Sequence, residues 1–477
     1  MNVSNTDLKL KLIIQPGMGV NISDPHLACT CAKHSQILAT VSLVAAGPLL
    51  ARFLQKGDPG GHYQRALAHF PFPEVAERII KEYFIEEGIP ATQKFKTVPA
   101  FHFSPRAELI ELTVAGSFAA VWLAKEGHGE LVSANLLEKI QVSLIHHIYG
   151  AMLAGIDVIT MGAGITLQIP GVLEAFSRGR AASYRVHVEG SKEGFEMISF
   201  DPKAFFANAP GELALPLFLP IVSTDVLASL MDNRLPEGAI KGFVLEKYIA
   251  GGHNAPPRGR YLLNEFGEPI YGIRDQVNFK KVLDLGYPFW IGGGFASPEG
   301  LAQAQELGAV GIQAGGIFAL CEQSGMKPHN RNEIRRLGYR GELQIRTDPK
   351  ASPTGFPFKI VQLVGTHSVT EVYEARERIC DLGALSVPYA RTDGTIGFRC
   401  PGEPVGDFIR KGGKLEDTNG VRCLCNSLLS AAGIANPNEP PIFTLGDDVS
   451  FLRHLMDHEN DSYNADEAIT YLLSQTV

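Results

Sequence analysis

Eight short, continuous apolar runs recur through the first 320 residues: KLIIQ, ILATVSL, ELVSANLL, DVITMGA, PLFLPIVS, AIKGFVLEKY, PFWIGGG and AVGIQAG. Most are followed by a helical pattern such as LEKIQVSLIHHIYGAMLAG or SPEGLAQAQELG. Apolar runs that do not alternate with polar residues read as strands buried on both faces, the condition of parallel strands covered by helices. Eight such strands in alternation with helices predict a (β/α)8 TIM barrel more readily than an open sheet. The helix after the seventh strand carries its own punctuation: Ser297 as N-cap, Pro298 at the first helical position, Glu299 in the first turn and Gly308 at the end.

The spacing between the second and third strands is too long for a bare connection, and it predicts a helical insertion across Lys56 to Gly129. YRVHVEGSKEGFEMISF alternates like a small hairpin between the fourth and fifth strands. Beyond Arg346 the sequence becomes turn-rich, with helical patterns at VTEVYEARERICDLG and at the end, SYNADEAITYLLSQTV. The expected division is a barrel over residues 1–345 and a smaller α+β C-terminal region over 346–477 that covers the active site.

Composition narrows the partners. The net charge is −8, from 43 basic and 51 acidic side chains, with no basic block to follow a nucleic acid or an anionic membrane. A small-molecule partner is favoured. MNVSNTDLKLKLIIQ lacks the plan of a secretory signal, and no run reaches the roughly 18 apolar residues of a membrane helix, so a cytoplasmic protein is expected. The seven cysteines include two C-x-C pairs, Cys29/Cys31 and Cys423/Cys425, with Cys400 upstream of the second. Zinc sites prefer C-x-x-C and a fourth nearby ligand, so reduced structural thiols and no metal are the expectation.

Three glycine clusters close apolar runs: Gly251-Gly252 in AGGHNAPPRG, Gly292-Gly293-Gly294 in PFWIGGGFAS and Gly315-Gly316 in AVGIQAGGIFAL. In a barrel the active site forms at the C-terminal strand ends, and phosphate is held by the loops after strands seven and eight. Glycines there let backbone N–H groups reach phosphate oxygens beside a helix N-terminus. Gly17, Met18 and Gly19, after the first strand, can lay backbone along a flat ring. His253, directly behind Gly251-Gly252, is the candidate acid/base, because imidazole titrates near neutrality. His102, His146, His147 and His187 lie on a helix or in insertions and are read as non-catalytic. There is no G-x-S-x-G elbow, P-loop, H-E-x-x-H or Rossmann fingerprint.

With these motifs together the chain resembles the FMN-dependent nitronate monooxygenase (2-nitropropane dioxygenase-like) family, which is related to FMN-dependent enoyl-ACP reductases. LIIQPGMGV, YGAMLAGIDVITMGAGI, AGGHNAPPRG and PFWIGGGFASPEGLAQAQELGAVGIQAGGIFALCEQS carry the resemblance, and TDPKASPTGFPFK, RCPGEP and VRCLCNSLL resemble its long subgroup. The resemblance implies that Gly17 and Met18 line an FMN ring and that Asn135 and Gly251 contact the cofactor. It places Gly293, Gly294, Gln313, Ala314, Gly315 and Gly316 at the phosphate end and makes His253 catalytic. The implied activity is oxidation of nitroalkanes or nitronates with oxygen. Two alternatives stand beside it: NADH- or NADPH-dependent reduction of an enoyl group on acyl carrier protein, and a flavin-binding partner subunit that uses the long insertion. Two positions depart from the family pattern, Pro16 for a glycine and Glu246 for a glutamine seven residues before the histidine. Glu246 is expected to be a structural carboxylate paired with Lys247 or Arg258.

Overall fold

The computed structural model describes residues 5–474, so the part of the leader reading that rests on residues 1–4 lies outside the described residues. The eight runs form eight parallel strands: β1 (Ile13–Gln15), β2 (Ile37–Ser42), β3 (Val132–Leu137), β4 (Val158–Gly162), β5 (Leu217–Val222), β6 (Phe243–Glu246), β7 (Phe289–Gly292) and β8 (Gly311–Gln313). They close into a barrel in sequential order, with β1 hydrogen-bonded to both β2 and β8. The fold is therefore a (β/α)8 barrel.

Although the runs do not alternate in polarity, their side chains alternate in direction, as strand geometry requires. Ile14, Leu38, Val158, Leu217, Leu219, Val244 and Trp290 form one buried cluster, with Leu8 added to it. Their neighbours Ile13, Ile37, Ala39, Phe218, Phe243, Leu245, Phe289 and Ile291 belong to a second, larger cluster shared with the helices. The first set fills the barrel axis, and the second binds strand to helix. Trp290 is fully buried, and its indole N–H donates to Lys11 O at 2.7 Å, so its one polar atom is satisfied.

The connection from β2 to β3 holds four helices, Ala46–Gln55, His62–Leu67, Pro73–Tyr83 and Ala107–Ala124. The fourth packs on strands β2 and β3 and against the neighbouring helices Pro25–Ala32 and Gln141–Leu153, so it is a member of the barrel's own ring. The first begins at Ala46, ahead of the expected insertion start at Lys56. Among the described residues Ala107–Ala124 is long and apolar enough to cross a membrane, unlike the expectation that no run is. Here, 78% of that stretch is buried within the protein, because helices cover it on several sides. A helix apolar all round is what burial on all sides demands.

The hairpin between β4 and β5 forms as Ala182–His187 with Phe195–Phe200. The helix expected over VTEVYEARERICDLG is confined to Thr370–Ala375, which buries none of its residues. Without an apolar stripe against a neighbour, a short helix has little to prolong it. The terminal helix spans Ala465–Leu473 and packs between Pro25–Ala32 and Pro298–Glu306. It thus closes the helix ring after β8, so the barrel draws structure from beyond residue 345 and the C-terminal stretch is more than a cover.

The helix ring is tightest at Gly116 and Gly150. A Cβ on Gly116 would collide with Ala46 O, and one on Gly150 would collide with Val114 O and stand 2.9 Å from Ser117 Cβ. Backbone cannot move aside as a side chain can. Gly150→Val is expected to cost about 2 to 3 kcal/mol by overpacking, read as a lower midpoint in urea denaturation with an unchanged slope.

Candidate active site

Going up the barrel axis, the inward side chains change from apolar to polar. Above the layer containing Val158, Val244 and Trp290 come Asn135, Thr160, Glu246 and Gln313, all lining a cavity of about 250 Å³ at the C-terminal strand ends. The parallel register sets their level: Asn135 pairs with Thr160, Glu246 with Gly292, and Gly292 with Gln313. Gly17, Met18, Asn135, Gly251, His253, Gly293, Gly294, Gln313, Ala314, Gly315 and Gly316 all line this one cavity. His146 and His147 are buried in the helix Gln141–Leu153, where His147 Nδ1 meets Ser117 Oγ at 2.8 Å.

The turn after β1 is built by two residues that sequence reasoning passed over. Ser23 Oγ accepts from Met18 N at 3.0 Å and donates to Pro16 O at 2.6 Å, and Gln15 Oε1 accepts from Thr40 N at 3.1 Å. Gln15 is wholly buried at the end of an apolar run, and that break in polarity was the available signal. Together they hold Gly17 and Met18 at the cavity wall.

His253 stands seven residues beyond the end of β6, so the strand-end position itself belongs to Glu246. The segment carrying His253 is clamped by the C-terminal region. Lys359 N donates to Gly252 O at 3.0 Å, Asn254 N to Pro357 O at 2.9 Å, Gly252 N to Thr444 Oγ1 at 2.6 Å and Asp447 N to Ile249 O at 3.0 Å. His253 Nε2 lies 2.7 Å from Ser352 Oγ, which lies 2.8 Å from Thr354 Oγ1, and the ring packs edge-on against Phe358. Phe358, Leu428, Ala431 and the stretch 442–446 complete the cavity wall. Ser352 and Thr354 sit in the segment read simply as turn-rich; their role depends on where that segment docks. Burial, helped by the charge of Lys139, pushes His253 down to about 4, so its imidazole is neutral at pH 7.

Glu246 differs from the expectation of a structural ion pair. Among the described residues it forms no salt bridge with Lys247 or Arg258; its one hydrogen bond is a long one, from Gln313 Nε2 at 3.4 Å. Lys247 instead lies over the ring of Phe295, 5.0 Å from its centroid. With no cation beside it, burial raises the Glu246 carboxyl to about 7. The group that titrates near neutrality in this cavity is the carboxyl and not the imidazole. A second cavity of about 380 Å³ adjoins the first and shares Glu246 and His253 with it. Ile165, Val226, Leu227, Tyr248, Pro256 and Tyr271 make its walls largely apolar.

No protein-family model matches the sequence, and no curated protein matches it. Solved structures similar to it include FabK from Thermotoga maritima, at 14% identity over 99% of this chain and 96% of that one, with a TM-score of 0.46. Nitroalkane oxidase from Streptomyces ansochromogenes is similar at 12% identity over 98% and 96% of the two chains, with a TM-score of 0.45. The enoyl reductase domain of MlnA from the macrolactin biosynthesis cluster of Bacillus amyloliquefaciens is 12% identical over 78% of this chain and 70% of that one, with a TM-score of 0.37.

The Glu246 carboxyl links stability to pH. Its ordinary value is 4.5 and its folded value about 7, so between these the unfolded chain has released a proton that the folded chain keeps. Raising the pH through that window therefore favours unfolding. Wild type should lose on the order of 1 to 3 kcal/mol relative to Glu246→Gln between pH 4.5 and 7.5, seen by denaturing both proteins across that range.

Proposed function

We propose that the chain is an FMN-dependent oxidoreductase acting on a carbon acid, with nitroalkanes and nitronates, oxidised with oxygen, as the leading substrate class. The supporting observation is the convergence of backbone from the ends of β1, β6, β7 and β8 on one cavity with a polar floor. Two features fit a flat, polar ring system. Asn135 Oδ1 is buried in the cavity wall with no hydrogen-bond partner, and a Cβ on Gly17 would collide with Asn135, so glycine keeps that wall open. Gly17, Met18, Asn135 and Gly251 would hold the ring; Gly293, Gly294, Gln313, Ala314, Gly315 and Gly316 would hold the phosphate end. Bound FMN would supply a two-electron acceptor.

The chain's own groups divide the proton chemistry. Above about pH 7 ionised Glu246 is a base matched to an α-proton of a nitroalkane, whereas His253, near 4, is a weak one. Neutral His253, oriented by Ser352, is placed to hydrogen-bond a substrate oxygen. Closure of the C-terminal region over the cavity excludes water and strengthens both interactions.

The adjoining cavity favours a second reading, because about 380 Å³ of largely apolar space exceeds what a small nitroalkane requires. A longer acyl thioester, presented on acyl carrier protein and reduced with NADH or NADPH, would use it. In that reaction protonated Glu246 delivers a proton to the carbon next to the thioester.

The two readings give opposite pH dependence. Nitroalkane oxidation should rise with pH through about 7, enoyl reduction should fall through the same pH, and Glu246→Gln should flatten either profile. Anaerobic addition of a nitroalkane, NADH or NADPH to the FMN-loaded protein reports which donor bleaches the flavin band. His253→Ala should slow turnover about 10²- to 10³-fold with FMN still bound, the loss of one hydrogen bond to the reacting oxygen. Undiminished turnover in that variant would remove the histidine from the site's chemistry, and failure of added FMN to bind would remove the flavin.

A further inference from the structure

A third cavity, of about 270 Å³, shares no lining residue with the two at the barrel mouth. The connections that follow β2, β3 and β4 enclose it together with the stretch 382–388. Its walls are mainly apolar: Pro48, Val98, Phe101 and Leu109 come from the long β2–β3 connection, and Leu382 and Phe398 from the C-terminal region. Part of that long connection therefore serves as a cavity wall. The volume lies just under the roughly 300–1,000 Å³ of drug-sized sites, so the occupant it fits is small.

One end of the cavity is polar. The helix Gln141–Leu153 presents its N-terminus there, since Gln141, Val142 and Ser143, its first three residues, all line the cavity. Its N-cap is Ile140, whose side chain cannot accept a hydrogen bond, so the first-turn N–H groups lack the cap that ordinarily satisfies them. Only 6% of Ser143 is exposed, and its hydroxyl has no hydrogen-bond partner among the described residues. A buried hydroxyl at a cavity wall is costly until a ligand meets it.

The charge at this end has one sign. Lys139 lines the cavity and makes no hydrogen bond among the described residues; its ammonium lies 5.0 Å from the centroid of the Phe356 ring and 3.8 Å from Glu138 Oε2. Glu138 itself is turned elsewhere: its carboxylate accepts from Gln141 Nε2 and packs against Gly164, where a Cβ would collide with Oε2. His147 also lines the cavity, but burial pushes it down to about 4 and its Nδ1 is engaged with Ser117 Oγ, so it adds no charge at pH 7. No Asp or Glu is among the lining residues. An ammonium, an uncapped helix N-terminus and an unpaired hydroxyl are together complementary to an anion.

We propose that this cavity binds a small apolar carboxylic acid as its carboxylate. Its oxygens meet Ser143, the first-turn N–H groups and Lys139, and its hydrocarbon part lies among Pro48, Phe101, Leu109 and Leu382. Inorganic phosphate would satisfy the polar end alone and leave the apolar walls uncovered. Thr354 lines the cavity too, and its Oγ1 is hydrogen-bonded to Ser352 Oγ, the partner of His253, so the acid rests against the chain that orients the histidine. The site does not depend on the flavin reading.

Calorimetric titration of the full chain with benzoate, hexanoate, benzamide and inorganic phosphate, with and without added FMN, tests the assignment. Benzoate or hexanoate should bind in both states, at least about 10-fold more tightly than neutral benzamide or phosphate. Lys139→Met should weaken the acid about 10- to 100-fold and Ser143→Ala about 3- to 10-fold, whereas Glu246→Gln, at the barrel mouth, should leave its affinity unchanged. Wild type that binds neither acid overturns the proposal, as does benzamide or phosphate binding as tightly as the acids. So does binding that Ser143→Ala leaves intact and Glu246→Gln alters, because the acid then sits in the barrel mouth. FMN uptake, measured on the same samples, reports separately on the flavin reading.

Discussion

Everything at the mouth of this barrel rests on how its axis is filled. Eight parallel strands closed on themselves leave one shared interior, and Ile14, Leu38, Val158, Leu219, Val244 and Trp290 occupy it, with the Trp290 indole N–H bonded to Lys11 O. A packed floor is what allows the next layer up to be polar. Asn135, Thr160, Glu246 and Gln313 can project into a cavity because the layer beneath them is closed to water and rigid. The same register that stacks the floor brings Glu246 level with Gly292 and Gln313.

The lid is built by the far end of the chain. Ser352, Phe358 and Thr444 hold the His253 segment, and residues 442–446 wall the cavity that β1, β7 and β8 floor. The terminal helix completes the barrel's own ring, with Tyr463 OH donating to Ile317 O at 2.7 Å. Barrel and C-terminal region are therefore coupled at two separate places. Damage to the packing of either should be felt at the histidine.

Burial without a partner is the recurring electrostatic condition here. Glu246 lacks a cation and His253 lacks a carboxylate. Each holds a protonation state or a charge that the protein alone does not compensate, and such groups concentrate where ligands belong. Glu246 near 7 and His253 near 4 also differ in protonation within one cavity, since a single pH leaves one titrating and the other neutral.

The sequence by itself determined the barrel. Eight runs of apolar, β-branched residues followed by helical periodicity encode strands covered on both faces, and this is local information repeated eight times. It likewise marked the glycines at the strand ends and the capped helix Pro298–Glu306, whose Ser297 Oγ accepts from Gly300 N at 3.0 Å. Tertiary structure decided the rest. Continuous apolar runs do not say which side chain faces the axis, so the polar layer with Glu246 waited for the register. The partners of His253 join residues about a hundred positions apart, and no periodicity spans such distances. Contacts of that range are fixed by how the C-terminal segments dock, a property of packing that composition and spacing do not carry.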